Sequence, residues 1–134
     1  MTIEGEKKDT LIRYRLEQAE EAIDDATFLF DNNRGLRSIV NRIYYAMFYA
    51  VLALFFVREP FQGSRHSGVI GYFNKRFIKE GIFSSETGKY LNMAFEARQE
   101  SDYKEFSELT RENVEELLKH AKIFIEKVRN YLKI

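Results

Sequence analysis

The chain has 134 residues, of which 45% are hydrophobic, and its 21 basic and 21 acidic side chains cancel. This length and hydrophobic content predict one domain over residues 1–134 with one sizeable core, and leave little room for two. The absence of cysteine excludes a disulfide framework and any thiolate metal site. With only two histidines, we expect neither a metal site nor a cofactor.

The charges are unevenly distributed along the chain. Residues 34–79 hold eight Lys or Arg and one acid, whereas residues 1–33 hold four basic and nine acidic side chains. This positive middle third favours an anionic partner. The alternative is that the charges only solvate separate helix faces and balance their neighbours.

The first predicted element is an amphipathic helix over residues 7–31, because apolar side chains recur there at spacings of three and four. The sequence DNNRG at 31–35 then supplies the Asn and Gly that end a helix. A second helix is predicted from Leu36 to Arg58, since the proline at position 60 disfavours helical geometry in the residue before it.

The second helix carries fifteen consecutive uncharged residues, Ile43 to Val57, six of them aromatic. The run is shorter than the roughly 18–20 residues that cross a bilayer, and it has neither the position nor the cleavage pattern of a signal peptide. We therefore expect no membrane partner and a cytoplasmic protein. Because apolar residues cover every side of this helix, we expect the segment around residues 36–58 to form both core and homodimer surface.

Three more helices follow in the prediction. The third is capped by Ser67 and ends at Gly81, the fourth runs over residues 85–102, and the last begins at residue 106 or 108 and continues to 132. No segment alternates with a period of two. The predicted fold is all-α, an antiparallel up-and-down bundle of the four-helix type with one additional short helix.

Motifs for common enzyme chemistry are missing from the sequence, which has no phosphate-binding glycine motif, no HExxH, no GxSxG and no cysteine nucleophile. Arg98 lies seven residues after Leu91, near the core-facing side of its helix, and Asp102 lies one turn further on. The two residues form either a candidate site or an ordinary Arg–carboxylate pair that pins the helix end.

Other polar candidates lie on the second helix and at the start of the third. Arg42 shares a face with Tyr45 and Tyr49, where it could clamp an anionic or aromatic group or lie on its own ring. His66, next to Arg65, stands at a helix start, where an anion is favoured. The second histidine, His120, is interpreted as a surface residue of the last helix.

Three stretches resemble the HEPN domain family of prokaryotes, and together they span nearly the whole chain. They are NRIYYAMFYAVLALF from residue 41, RHSGVIGYFNKRFIKEG from residue 65 and ARQESDY from residue 97. The resemblance implies a bundle of four main helices similar to the C-terminal domain of kanamycin nucleotidyltransferase. Such domains are usually dimeric, with a polar cleft near the dimer seam.

The resemblance also implies a function. Many family members pair with a separate minimal nucleotidyltransferase as toxin and antitoxin, and others are linked to nucleotide binding. The toxins resemble metal-independent ribonucleases that use an Arg, four to six intervening residues, a His and a nearby Tyr. Arg98 and Tyr103 match this pattern, but Asp102 stands about where the His would be, and an aspartate does not titrate near neutral pH.

The expected function is therefore binding of a nucleotide or RNA by a homodimer that works with a partner minimal nucleotidyltransferase. The expected binding residues are Arg42, Tyr45, Arg65, His66, Arg98 and Tyr103. One alternative is a ribonuclease of altered motif, with Arg98 as phosphate clamp and His66 or Asp102 as proton carrier. Another is a purely structural helical partner, and the resemblance further implies that Tyr103 could accept a nucleotidyl group.

Overall fold

A computed structural model describes residues 3–57, 66–101 and 109–134, with side chains from residue 5 in the first range and from residue 68 in the second. The elements in chain order are α1 (Ile3–Asp31), α2 (Leu36–Phe55), α3 (His66–Phe73), a π-helical turn (Asn74–Ile78), α4 (Ser85–Ser101) and α5 (Arg111–Leu132). Helix α2 packs against α1, α4 and α5. The described residues contain no strand, and the predicted all-α bundle is confirmed.

The connection between α1 and α2 is short and tightly bonded. Asn33 adopts the left-handed conformation, with φ of 54°, which asparagine tolerates better than most residues. The amide of Arg34 donates to the carbonyl of Leu29 at 2.9 Å, closing the end of α1 as a helix C-cap does. The two helices consequently run side by side, with α1 along the length of α2.

The apolar side chains of α2 form three rows along the helix, each made of residues three or four positions apart. Two rows are buried inside the chain, and the third is half-buried. The rows that begin at Ile43 and Tyr44 are buried along their length. The half-buried row, called here the α2 seam row, consists of Tyr45, Tyr49, Leu52 and Phe56. The first two rows therefore form the expected core, and the seam row is what remains for the expected homodimer surface, which stays a prediction.

Helix α2 is also longer than the fifteen-residue uncharged run, because it begins seven residues before Ile43. Its 20 residues, which include an 18-residue window of mean hydropathy 1.4, would suffice by length and composition to cross a membrane. However, 67% of the apolar window is buried inside the bundle. Packing against the other helices accounts for the apolar character that the sequence displays.

The third predicted helix is not uniform, because α3 changes to a π-helical turn at Asn74. The amide of Lys79 bonds to the carbonyl of Asn74 at 2.8 Å, five residues back. This turn packs on α4 at Gly88, where a Cβ would lie 3.0 Å from Cγ1 of Ile78. The Asn74 side chain also donates to Oδ1 of Asn92 at 3.2 Å, which ties the turn to α4.

The last two helices begin at hydroxyl caps. The Ser84 hydroxyl accepts a hydrogen bond from the amide of Thr87 at 3.3 Å, which agrees with the predicted start near residue 85. The Thr110 hydroxyl accepts from the amide of Asn113 at 3.1 Å, so α5 begins at Arg111. The predicted start at residue 106 or 108 lies outside the described residues, as do the predicted helix ends at 58 and 102.

Candidate functional site

Two adjacent tyrosines of α2 form the base of the candidate site. Successive residues of a helix are about 100° apart, so Tyr44 points into the core while Tyr45 lies at its edge. Tyr44 is fully buried, with its ring 5.7 Å from that of Phe95 on α4. The rings of Tyr44 and Tyr45 meet edge to face at 5.5 Å. Together the two rings form an aromatic surface on α2 that faces α4.

Arg98 of α4 lies over this pair of rings. Its guanidinium carbon is 5.1 Å from the ring centroid of Tyr44 and 5.2 Å from that of Tyr45. One terminal nitrogen donates a long hydrogen bond, 3.4 Å, to the Tyr45 hydroxyl. The Nε atom is buried and has no hydrogen-bond partner among the described residues. A buried donor without a partner costs about 1–3 kcal/mol, so this atom marks a place that a ligand or water would stabilise.

A second guanidinium lies near the same ring. The guanidinium carbon of Arg42 is 5.4 Å from the ring centroid of Tyr45, and a terminal nitrogen donates to Oδ1 of Asn41 at 3.3 Å. Arg42 thus lies on its own helix's ring, as one of the two sequence-based interpretations stated. Within the described ranges, no carboxylate is within ion-pair distance of Arg42 or Arg98. We call Arg42, Tyr44, Tyr45 and Arg98 the arginine–tyrosine cluster.

The cluster holds Tyr44 as a neutral phenol. Burial raises the pKa of Tyr44 well above its ordinary value, and the charge of Arg98 opposes this only in part. The buried hydroxyl therefore keeps its proton at any physiological pH. It offers Arg98 an uncharged ring, and among the described residues no carboxylate neutralises the positive charge of the cluster.

Several predicted site residues cannot be related to this cluster. Asp102, Tyr103 and Arg65 lie outside the described residues, and His66 begins α3 while its side chain also lies outside them. The structure therefore brings together Arg42, Tyr45 and Arg98 from the predicted set. The expected Arg98–Asp102 pair stays a prediction.

Sequence reasoning missed Tyr44 as a member of the cluster, although it stands in the stretch that carries the family resemblance. Its direct contact with Arg98 depends on how α4 is aligned along α2, which periodicity does not give.

Among the described residues, no group of three or more His, Asp or Glu side chains could hold a metal ion.

The interpretation of His120 as a surface residue is wrong. Its side chain is only 19% exposed, and its ring stacks on Tyr90 of α4 with centroids 4.1 Å apart. Tyr90 in turn donates to Oε1 of Glu86 at 2.9 Å, and this hydrogen bond raises the pKa of the Tyr90 hydroxyl. The sequence did not indicate that His120 is mostly buried, because the ring that covers it belongs to another helix.

Comparison with known proteins identifies the family to which this chain belongs. A model of the HEPN domain matches residues 12–131. A UPF0332 protein of Thermotoga maritima is 40% identical over 126 residues, which are 94% of this chain and 94% of that protein. A protein of Methanocaldococcus jannaschii named as a candidate toxin is 38% identical over 117 residues, 87% of this chain and 78% of the relative. A second one, with the same description, is 30% identical over 122 residues, 91% of this chain and 89% of the relative.

The family match covers most of the chain, including α2, α4 and the arginine–tyrosine cluster between them. The relatives match over nearly their whole lengths. The resemblance seen in the three sequence stretches is thereby confirmed, and the chain belongs to the HEPN domain family.

Proposed function

We propose that this chain is a toxin-like HEPN protein of the cytoplasm that binds a nucleotide or an RNA segment at the arginine–tyrosine cluster. It acts as a homodimer and works with a partner minimal nucleotidyltransferase. Two relatives named as candidate toxins support the toxin-like role. The partner enzyme is implied by the family resemblance alone.

The observation that carries the binding proposal is the buried Nε of Arg98, which lacks a hydrogen-bond partner among the described residues. A phosphate oxygen would satisfy this donor, and guanidinium groups bind phosphate through several parallel hydrogen bonds. The nearby guanidinium of Arg42 adds a second positive charge beside the ring of Tyr45. Aromatic rings next to cations are the usual platform for a nucleobase and its phosphate.

The dimer proposal is supported by the α2 seam row. Tyr45 belongs both to this half-buried row and to the arginine–tyrosine cluster. If two copies pack through their seam rows, each cluster lies at the edge of the interface, and a bound strand can contact both copies. This arrangement agrees with the polar cleft near a dimer seam that the family resemblance implies.

A titration with fluorescently labelled single-stranded RNA tests the proposed function, with binding and cleavage read in the same samples. We expect Arg98→Ala to weaken binding by about ten-fold at low salt, as loss of a charge-assisted hydrogen bond does. Arg13→Ala, which removes one exposed charge from α1, is the matched control and should bind nearly as the parent chain does.

The same titration separates the alternatives. Cleavage that Arg98→Ala loses would make this chain an active ribonuclease, and Arg98→Lys would then show whether charge alone suffices. Binding without cleavage supports an accessory module. Absence of both binding and cleavage at low salt would overturn the proposal and leave the purely structural partner in front.

A further inference from the structure

A groove of about 360 Å³ lies between α4 and α5, on a different side of α4 from the contact between Arg98 and α2. Its floor is apolar and includes Met93, Ala97 and Leu117. Met93 is 43% exposed, although most methionine side chains in a small bundle pack inward. This apolar surface is open to solvent within the part of the chain that the structure describes.

The rim of the groove is acidic, and no basic side chain among the described residues neutralises Glu96 or Glu100. Glu96, Glu100 and Glu116 line it. No Lys or Arg among the described residues forms an ion pair with Glu96 or Glu100, and the only described partner of Glu116 is Nε2 of His120 at 3.8 Å. Three carboxylates beside exposed apolar surface favour a ligand that is both cationic and apolar.

A larger groove of about 580 Å³, between α1 and the end of α5, shows the contrast. Its acidic side chains stand beside two guanidiniums of the chain itself, Arg13 and Arg129. Arg129 pairs with Glu20 at 2.7 Å. Because this groove already contains its own cations, the same argument does not apply to it, and it supplies matched control positions.

We propose that the α4–α5 groove binds a cationic amphipathic helix of a partner protein. From Met93 to Glu100 the groove follows α4 for about 10 Å, or two helical turns, at about 1.5 Å per residue. A partner helix with apolar residues at spacings of three and four would cover the floor, and its flanking Lys or Arg would reach the three glutamates. The same glutamates repel phosphate, so nucleic acid is not the occupant.

This inference goes beyond the proposed function and does not depend on it, since the groove and the arginine–tyrosine cluster share no residue. A separate protein could bind in the groove while the arginine–tyrosine cluster binds its own ligand. The α2 seam row, which is proposed for the homodimer, lies on another helix.

The test is fluorescence anisotropy with a labelled synthetic helical peptide that carries Leu at three- and four-residue spacing and Lys beside the Leu positions. We expect the double variant Glu96→Gln, Glu100→Gln to bind this peptide about five-fold more weakly than the parent chain, as loss of two rim ion pairs implies. Met93→Ser should also weaken binding. The control Glu17→Gln, Glu21→Gln removes the same charge from the α1 groove and should leave binding unchanged.

Three results would overturn the inference. The first is equal weakening by the groove and control double variants, which means that only net charge matters. The second is equally tight binding of a peptide with the same composition in scrambled order. The third is a change in oligomeric state of the groove double variant on sedimentation, which would identify a second copy of this chain as the occupant. RNA binding by the groove variant should stay at the parent level, so that failure here is distinct from failure at the cluster.

Discussion

The guanidinium carbon of Arg98 lies 5.1 Å from the ring centroid of Tyr44, so a cation on α4 rests on a fully buried ring of α2. Two effects on stability oppose each other at this contact. The cation–π interaction stabilises the fold by about 0.5–2 kcal/mol. The buried Nε without a described partner costs about 1–3 kcal/mol. The contact is therefore a poor stabiliser for a residue in such a central position.

Arg98→Met should consequently leave the free energy of unfolding within about 0.5 kcal/mol of the parent value, or raise it, because the apolar stem stays and the unpaired donor goes. The same variant should bind RNA about ten-fold more weakly, as expected for Arg98→Ala. Urea unfolding and RNA titration on one preparation measure both. A loss of more than about 1 kcal/mol would instead identify Arg98 as a structural residue.

The seam row predicts a specific way to separate the proposed homodimer. Leu52→Glu places a carboxylate in the middle of this half-buried row and should shift the protein to monomers without unfolding it. Ile123→Glu is the matched control, since Ile123 is 41% exposed on α5, away from the row. Sedimentation velocity distinguishes the two variants. If the Leu52 variant sediments as the parent does, the seam row is not the interface.

Gly71 of α3 and Gly88 of α4 should respond to alanine in opposite directions. Gly88→Ala adds a Cβ 3.0 Å from Cγ1 of Ile78, and the strain should outweigh the gain in helix propensity, with a net loss of about 1 kcal/mol. Gly71→Ala meets nothing within 4 Å and should gain up to about 1 kcal/mol. Urea midpoints measure both changes. A gain at both positions would mean that the turn packed on Gly88 adjusts without cost.

The raised pKa of Tyr44 predicts loss of stability in alkali. Above about pH 10, the ordinary pKa of tyrosine, this side chain loses its proton in the unfolded chain and keeps it in the folded one. The unfolded state is then favoured by up to about 1.4 kcal/mol per pH unit. Tyr44→Phe removes this contribution, so its stability should fall less steeply above pH 10 in urea unfolding. Parallel curves for parent and variant would contradict the pKa direction.

Periodicity predicted those features that one helix determines by itself. The spacing of apolar residues indicated the apolar cover on every side of α2 and the core-facing position of Arg98, because each follows from 100° per residue. The relation of Arg98 to Tyr44 depends on how two helices are aligned, and a single sequence contains no measure of that alignment. The same holds for His120, whose cover is the ring of Tyr90 on the neighbouring helix.

The sequence predicted the helix ends only in part. The Ser-Ser-Glu start of α4 follows a strong capping pattern and was predicted correctly. Thr110 was not predicted as the cap of α5. The charged residues before it are also compatible with a helix, so the predicted helix begins too early. The π-helical turn left no sign at all, because one additional residue in a turn does not disturb the spacing of buried phenylalanines enough to be noticed.

That turn affects how relatives should be aligned with this chain. It holds one residue more than an α-helical turn, since Lys79 bonds to Asn74 rather than to the residue after it. The buried rings of Phe73 and Phe77, four positions apart, stay on one side across the turn and stack 5.6 Å apart. A relative that is α-helical throughout this segment should align across a one-residue gap inside 74–78. Deleting one residue from 74–78 should therefore leave an ordinary α-helical turn, with Phe73 and the residues after the turn still on their present sides.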